Sequence, residues 1–276
     1  MLAKQKLSAA LVACALLVAA CAAATSRQTT AESLTNILAG DQRTPDERAR
    51  DVYRHPKQTL LFFGLRPEMR VLEVWPEPGW YTEVIAPLLR DKGKYYAGVI
   101  PADPANKHIT QRLEDYRAKL AARPDLFDRV TVVSFPPDGG AAMPPGSLDM
   151  VVSFRNIHNW MARGNAPEMF AAMYRALKPE GILGVVEHRG NPAVPQDLKA
   201  KSGYVNEDYA IKLIEGAGFR LVAKSEVNDN PQDTKDYEQG VWTLPPTYRL
   251  GAKDHDRYAA IGESDRFTLR FVKPRK

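Results

Sequence analysis

Val71-Leu-Glu-Val-Trp-Pro-Glu-Pro-Gly-Trp-Tyr-Thr-Glu-Val-Ile-Ala-Pro87 is the stretch of sequence that decides the fold. It begins with an apolar run, continues through a turn rich in proline and glycine, and ends in the first residues of a helix. A strand, a tight turn and a helix form the opening unit of a doubly wound α/β sheet. In such sheets, ligands bind at the carboxyl end of the first strand.

The rest of the chain repeats this alternation. Apolar, β-branched runs are typical of strands that are buried on both faces, and helical segments between them indicate right-handed βαβ units in a mostly parallel sheet. The predicted strands are Arg70–Trp75, Tyr96–Ile100, Val130–Phe135, Leu148–Phe154, Ile182–Glu187, Phe219–Val227 and Arg266–Lys273. The predicted helices between them are Tyr81–Arg90, Lys107–Ala122, Pro167–Leu177 and Asn206–Ala217.

Two segments lie outside this alternation. Residues 31–65 are predicted to form N-terminal helices, of which the charged segment Asp41–Arg54 is expected to be a solvated helix. Residues 228–264 are rich in Asp, Asn, Pro and Gly. A connection this long is usually functional, so we expect it to fold over the site as a lid covered by Trp242 and Tyr248. Glu263, Asp265 and Arg266 are expected to latch it by ion pairs.

The first 20 residues resemble a bacterial signal peptide. Lys4 and Lys6 precede an apolar run that is too short to span a membrane, and Leu17-Val-Ala-Ala-Cys21 is similar to a lipobox. We therefore expect an exported, periplasmic protein with Cys21 lipidated, residues 21–30 as a tether, and the outer membrane favoured because Ala22 is not acidic. A plain secretory signal cleaved near Ala24 is the alternative.

Charge and cysteine content exclude several classes of function. Loss of Lys4 and Lys6 with the signal would lower the net charge from +5 to +3, and acidic and basic residues alternate, so we expect no nucleic-acid partner. Cys14 and Cys21 are the two cysteines of the chain. The folded part therefore has no thiol nucleophile, disulfide or cysteine-based zinc site.

Several short sequence motifs resemble those of a known family. They are Glu73-Val-Trp-Pro-x-x-Gly-Trp-Tyr-Thr-Glu83, Phe154-Arg-Asn-Ile-His-Asn-Trp160, Val186-Glu-His-Arg189 and Gly262-Glu-Ser-Asp-Arg266. Together with seven predicted strands, they resemble class I S-adenosylmethionine-dependent methyltransferases, and in particular bacterial exported proteins known as predicted methyltransferases. The resemblance implies a last strand inserted antiparallel between the fifth and sixth, S-adenosylmethionine as cofactor, and a small molecule as methyl acceptor.

The resemblance also implies where the cofactor binds, although the loop departs from the family pattern. After Pro76 only Gly79 remains of the family's glycines, Pro78 lacks a backbone donor, and Glu77 could meet the cationic sulfonium or ammonium. A loop that binds nothing is the alternative. Asp103 would hold the ribose or cap the next helix, and Phe135 and Asp138 would contact the adenine or simply form a turn. The candidate cofactor-binding residues are Glu73, Trp75, Glu77, Gly79, Trp80, Tyr81, Asp103, Phe135, Asp138 and Phe154.

Candidate catalytic residues follow the fourth and fifth strands. His158 could act as a general base, Asn156 and Asn159 could orient the acceptor, and Arg155 could hold a carboxylate or phosphate. Glu187 and His188 could pair with His158. A metal site built from these last three residues is disfavoured, because strand alternation should point Glu187 and His188 to opposite faces. We therefore predict no metal.

Three functions remain open at this point. The first is methyl transfer from S-adenosylmethionine to a small molecule. That cofactor is made in the cytoplasm, so an exported protein would meet little of it. This favours a second hypothesis, a binding or interaction protein of the cell envelope that has the methyltransferase fold without its activity. The third is a lyase or hydrolase that uses Glu187, His188 and His158 without the cofactor.

Overall fold

The computed structural model describes residues 25, 27–136 and 143–275. Cys21, the signal segment and Asp138 lie outside the described residues, so the predictions made for them stay predictions. Within the described part of the chain, no helix combines the length and the apolar character that crossing a membrane requires.

Seven strands form one sheet in the order β3-β2-β1-β4-β5-β7-β6. Strands β1 to β5 pair in parallel, and β7 runs antiparallel between β5 and β6. This arrangement confirms the predicted fold, including the insertion of the last strand. The strands are β1 (Arg70–Val74), β2 (Lys94–Val99), β3 (Thr131–Ser134), β4 (Leu148–Phe154), β5 (Leu177–His188), β6 (Arg220–Ser225) and β7 (Arg266–Val272).

Helices cover both faces of the sheet. In chain order they are α1 (27–38), α2 (Pro45–Ala49), α3 (Asp51–Arg54), α4 (Pro56–Phe63), α5 (Thr82–Leu89), α6 (Lys107–Ala122), α7 (Pro124–Phe127), α8 (Ile157–Arg163), α9 (Ala166–Ala176), α10 (Glu207–Gly216) and α11 (His255–Ile261). Helix α8, directly after β4, is a helix that the sequence pattern did not predict.

The sheet separates two apolar layers, which explains why its strands are apolar on both sides. Leu72 and Val151 face the layer formed by α8, α9 and α10. Val71 and Val152 face the layer formed by α1, α4, α5 and α6. Because both faces are covered, functional side chains can reach solvent mainly at the sheet edges, and the carboxyl ends of the parallel strands share one such edge.

The prediction of a solvated helix over Asp41–Arg54 is wrong. The segment forms two short helices, and Arg43 and Arg54 are only 2% and 3% exposed. Each buried guanidinium has a carboxylate partner. Arg43 binds both oxygens of Asp51, at 2.7 and 2.6 Å, and Arg54 binds Glu263 at 3.0 Å. Pairing of this kind is what allows charged residues to be buried.

Residues 228–264 fold over the carboxyl edge and are not structureless. They contain a 3₁₀ helix, Gly240–Thr243, and helix α11. Asn228 ties the start of the segment to Thr59 and Thr268. Lys235 forms an ion pair of 2.7 Å with Asp265 at the other end, in line with the expected latch.

Packing of α4 on β5 can be tested at Gly184. A Cβ at this position would lie 2.6 Å from the buried ring of Phe63, so Gly184→Ala should destabilise the protein by about 1–3 kcal/mol. The free energy of unfolding in urea measures this. Gly216→Ala in α10 is the matched control, because a Cβ there meets no atom within 4 Å. Equal midpoints for the two variants would contradict the packing described.

Candidate active site

A cavity of about 180 Å³ lies at the carboxyl edge of the sheet, beneath the lid. The ends of β1 and β4, the start of α8, one residue of α6 and the lid form its walls. Its lining residues are Trp75, Glu77, Arg112, Phe154, Arg155, Asn156, His158, Asn159, His188, Val241, Trp242, Pro245, Pro246, Thr247 and Arg266. Seven of the predicted site residues therefore line one cavity.

Trp75 occupies the first position of the turn after β1 in a left-handed conformation, with φ 52°. A side chain in this region costs about 1–2 kcal/mol, and packing must compensate for it. The indole Nε1 donates to the carbonyl oxygen of Phe135 at 2.7 Å, and the ring meets Trp160 edge-on with centroids 5.9 Å apart. The indole therefore bridges the ends of β1 and β3.

Glu77 presents an unusual carboxyl group to the cavity. Its Oε2 atom is buried and has no hydrogen-bond partner among the described residues. Burial raises the pKa of Glu77, while its own backbone amide and the charge of Arg112 act in the opposite direction. A cationic ligand group next to this oxygen would supply the missing partner.

Glu73 is directed away from the cavity. Its carboxyl group accepts a hydrogen bond of 2.6 Å from Tyr95, whose hydroxyl also contacts Thr82, and Thr82 in turn contacts Tyr116. Burial raises the pKa of Glu73 to about 8, so that the acid is mostly neutral at pH 7. This placement holds the end of β1 against α5 and α6, and the Glu73 side chain does not line the cavity.

The remaining cofactor candidates divide into two groups. Phe154 lines the cavity, and its ring stacks on Tyr81 with centroids 3.5 Å apart. Trp80, Tyr81 and Gly79 pack behind this wall; Trp80 lies between Arg43 and Arg54.

Two further candidates belong to the ends of β2 and β3. Asp103 accepts from the backbone of Ala105, and the cap of α6 is Asn106, so the alternative role of Asp103 as that cap is wrong. Phe135 is buried and contributes its carbonyl oxygen to the bond with Trp75. Neither side chain lines the cavity.

His158 and Glu187 form a buried pair. Nδ1 of His158 lies 3.0 Å from Oε1 of Glu187, and the same carboxylate accepts the backbone N–H groups of His158 at 3.2 Å and of His188 at 2.8 Å. A carboxylate can only accept, so the proton of the imidazole belongs on Nδ1. Nε2 of His158 then carries the lone pair that a general base needs.

The expectation that Glu187 and His188 point apart is wrong. The Glu187 side chain bends back to accept the His188 N–H at the last residue of β5, which overrides strand alternation. Ligand atoms of His158, Glu187 and His188 consequently lie within 4.8 Å of one another. Burial, then His158, Arg266, Arg155 and Arg54, lower the pKa of His188 well below its usual value. The guanidinium groups of Arg266, Arg155 and Arg54 also disfavour a metal cation.

The loop between β4 and α8 fixes the other polar groups. Asn156 donates to the carbonyl oxygen of Val74 at 2.9 Å and so joins the ends of β4 and β1. Arg155 has φ 61° and lines the cavity; within the described residues its side chain makes no hydrogen bond or salt bridge. Asn159 lines the cavity beside it.

The lid supplies the apolar cover, but not with both predicted residues. Trp242 meets the imidazole of His158 edge-on, with centroids 6.0 Å apart, and Pro245 and Pro246 continue the wall. Tyr248 stacks on His255 and does not line the cavity.

Three polar residues of the site were not singled out as site residues from the sequence. Arg112 is one of several charges on α6 and carries no local signal. Ser264, whose Oγ lies 2.5 Å from Nδ1 of His188, and Arg266 belong to the motif Gly262-Glu-Ser-Asp-Arg266, for which a latch was the predicted role. Their position directly before and at the start of β7 was the available signal, because the start of an antiparallel strand meets the carboxyl edge of its parallel neighbours.

No protein-family model and no curated protein matches the sequence. Solved structures, in contrast, are similar to this chain in their fold. A S-adenosylmethionine-dependent methyltransferase from Aquifex aeolicus aligns with a TM-score of 0.55 and 16% identity over 87% of this chain and 98% of its own. The (4+2)-cyclase SpnF aligns with a TM-score of 0.55 and 18% identity over 86% of both chains.

A third structure is a phosphoethanolamine N-methyltransferase 2 from Haemonchus contortus in complex with S-adenosyl-L-methionine. It aligns with a TM-score of 0.54 and 18% identity over 81% of this chain and 53% of its own. At such identities the likeness is one of fold. The chain has the class I methyltransferase fold, as the sequence words predicted.

The buried acid of β1 gives a pH-dependent prediction. The native state keeps a proton on Glu73 up to a pKa of about 8, whereas the unfolded chain releases it near 4.5. The contribution of the neutral acid to the free energy of unfolding is therefore fully present below the pKa of Glu73 in the unfolded chain. This contribution is lost as the pH rises towards 8. Relative to Glu73→Gln, the wild-type protein should lose on the order of 4 kcal/mol of unfolding free energy between pH 5 and pH 8. Urea unfolding at both pH values measures the difference, and an unchanged difference would contradict it.

Proposed function

We propose that this chain transfers a methyl group from S-adenosylmethionine to a small-molecule acceptor in the cavity beneath the lid. One observation carries the proposal. The unpartnered carboxyl oxygen of Glu77 and the His158–Glu187 pair border the same cavity, at the edge of the sheet where this fold binds its ligands. A cation-accepting group and a candidate base are thus available in one cavity.

The carboxyl group of Glu77 and the aromatic rings near it are suited to a cationic cofactor. When bound, S-adenosylmethionine supplies an activated methyl group on a cationic sulfonium. Glu77 would face the sulfonium or the ammonium, and Trp75 and Phe154 would provide aromatic surface. The cavity of about 180 Å³ is smaller than the roughly 300 Å³ at the lower end of ligand sites, so the turn or the lid moves when a ligand enters.

His158 is the residue placed to remove a proton from the acceptor. Glu187 holds Nδ1, which leaves Nε2 to accept the acceptor's proton as its oxygen, nitrogen or carbon gains the methyl group. Asn156, fixed to β1, and Asn159 can orient the acceptor. Trp242 and the two lid prolines exclude water, which favours transfer over side reactions.

A second candidate function is favoured by a specific observation. Trp75 stands in a left-handed conformation, and its indole fills space at the carboxyl edge, where it donates to the carbonyl oxygen of Phe135. If that indole stays in place, the His158–Glu187 pair would serve a lyase or hydrolase reaction without the cofactor. Metabolites that co-purify with the protein would separate the two, since an adenosyl compound supports methyl transfer.

Binding of S-adenosylmethionine tests the proposal directly. We expect isothermal titration to detect binding, and Glu77→Gln to weaken it by about tenfold, because a charged partner of a cation is lost. Glu114→Gln on the exposed side of α6 is the matched control and should bind as the wild type does. Absence of heat and of a thermal shift at millimolar cofactor would refute the proposal.

A double variant reports on the turn itself. Glu77→Gly with Pro78→Gly restores a glycine-rich loop. Weaker binding than wild type would mean that Glu77 contacts the cofactor. Tighter binding would mean that the natural loop restricts entry and that Glu77 is no contact.

The role of His158 is tested by turnover. With an acceptor identified from co-purified ligands, His158→Ala should lower kcat by about 10²- to 10⁴-fold, because the acceptor would lose its base. His255→Ala, at the exposed start of α11, is the control and should retain full activity. A His158→Ala protein with wild-type kcat would remove His158 as the base.

A further inference from the structure

One buried carboxylate beside the cavity is surrounded by guanidinium groups. Glu263 is 2% exposed and accepts from Nε of Arg50 at 2.6 Å, from Nε of Arg54 at 3.0 Å and from Nη2 of Arg266. Burial alone would raise the pKa of Glu263, but Arg266, Arg54, Arg50 and Arg155 together hold it well below its usual range. Four guanidinium groups therefore act on one carboxylate.

This cluster is under-compensated. Glu263 offsets one of the four positive charges, and two guanidinium nitrogens, Nη2 of Arg54 and Nε of Arg266, are buried without a hydrogen-bond partner in the described residues. Arg266 is only 2% exposed. Uncompensated buried charge is costly, so the excess of positive charge favours an anion from outside the protein.

The excess charge faces the cavity. Arg155 and Arg266 line it, and Arg155 has no hydrogen bond or salt bridge of its own among the described residues. Arg112 contributes a third guanidinium to the lining, beside Glu77. Glu187, the other carboxylate close to Arg155, is already held by His158 and two backbone N–H groups.

We propose that Arg155 and Arg266 form an oxyanion subsite, and that the small-molecule acceptor carries a carboxylate or phosphate group that binds there. That this anion belongs to a methyl acceptor rests on the proposed methyl transfer, whereas the subsite itself does not. A planar guanidinium matches two oxygens of either group, which fixes orientation as well as position. The anion is then held in the same cavity as His158, which would remove a proton from the reacting atom of the same molecule.

Binding of simple anions to the full protein tests the subsite without the cofactor. Benzoate and phenyl phosphate are titrated at pH 7.5 and constant ionic strength, with benzyl alcohol as the neutral analogue. We expect at least one anion to bind ten times more tightly than benzyl alcohol, and the tighter of the two identifies the group. Anions that bind no better than benzyl alcohol would overturn the proposal.

Variants locate the binding. Arg155→Gln should weaken the preferred anion by about 10- to 100-fold, and Arg155→Lys, which keeps the charge but loses the planar fork, by less. Arg220→Gln removes the same charge at the start of β6, on the opposite edge of the sheet, and should change the affinity less than twofold. Equal affinities for Arg155→Gln and Arg220→Gln in folded proteins would overturn the assignment to Arg155.

A second titration at saturating S-adenosylmethionine separates the acceptor from the cofactor. Anion affinity that is unchanged or higher supports an acceptor subsite. Competition between the two would overturn it, because the arginines would then bind the cofactor's own carboxylate. If the cofactor gives no heat while the anion still binds through Arg155, the methyl transfer proposal fails and the oxyanion subsite remains.

Discussion

Burial of Glu263 is the constraint on which the arrangement of this molecule depends. Its carboxylate joins Arg50 and Arg54 from the N-terminal helices to Arg266 at the start of β7. Two segments that are remote in sequence, residues 50–54 and 263–266, therefore meet at one carboxylate, and the lid ends beside it. Removing one partner of a buried ion pair commonly lowers the free energy of unfolding by several kcal/mol. The N-terminal helices therefore stabilise the edge of the sheet that carries the site.

Glu187 organises the reactive side of the same edge. By accepting three N–H groups from β5 and α8 it fixes the tautomer of His158 and brings His188 next to it. The orienting carboxylate is fully buried, whereas the imidazole it orients reaches the cavity. A general base needs this combination, because orientation comes from groups that solvent cannot disturb. The neighbouring guanidinium groups at the same time make the edge a better place for anions than for metal cations.

The sequence predicted the fold because the signal was local and periodic. Each apolar run and the longer helices between them could be recognised in a window of a few residues, and the antiparallel position of the last strand followed from the resemblance. The edge residues His158, Asn156 and Arg155 were found for the same reason, since they follow a strand directly. Pairings such as Arg54 with Glu263 join residues 209 positions apart, and no local pattern indicates them. The bend of Glu187 depends on backbone donors that only the folded chain places.

The conformation of Trp75 has an optical consequence. Its indole contacts Trp160, Arg163 and a carbonyl oxygen at the wall of the cavity, and the fluorescence of an indole depends on the charges and dipoles around it. Any rearrangement of the turn after β1 changes those neighbours. The fluorescence of Trp75, one of the four tryptophans of the chain, therefore responds to a rearrangement of this turn in the native sequence and without an attached label.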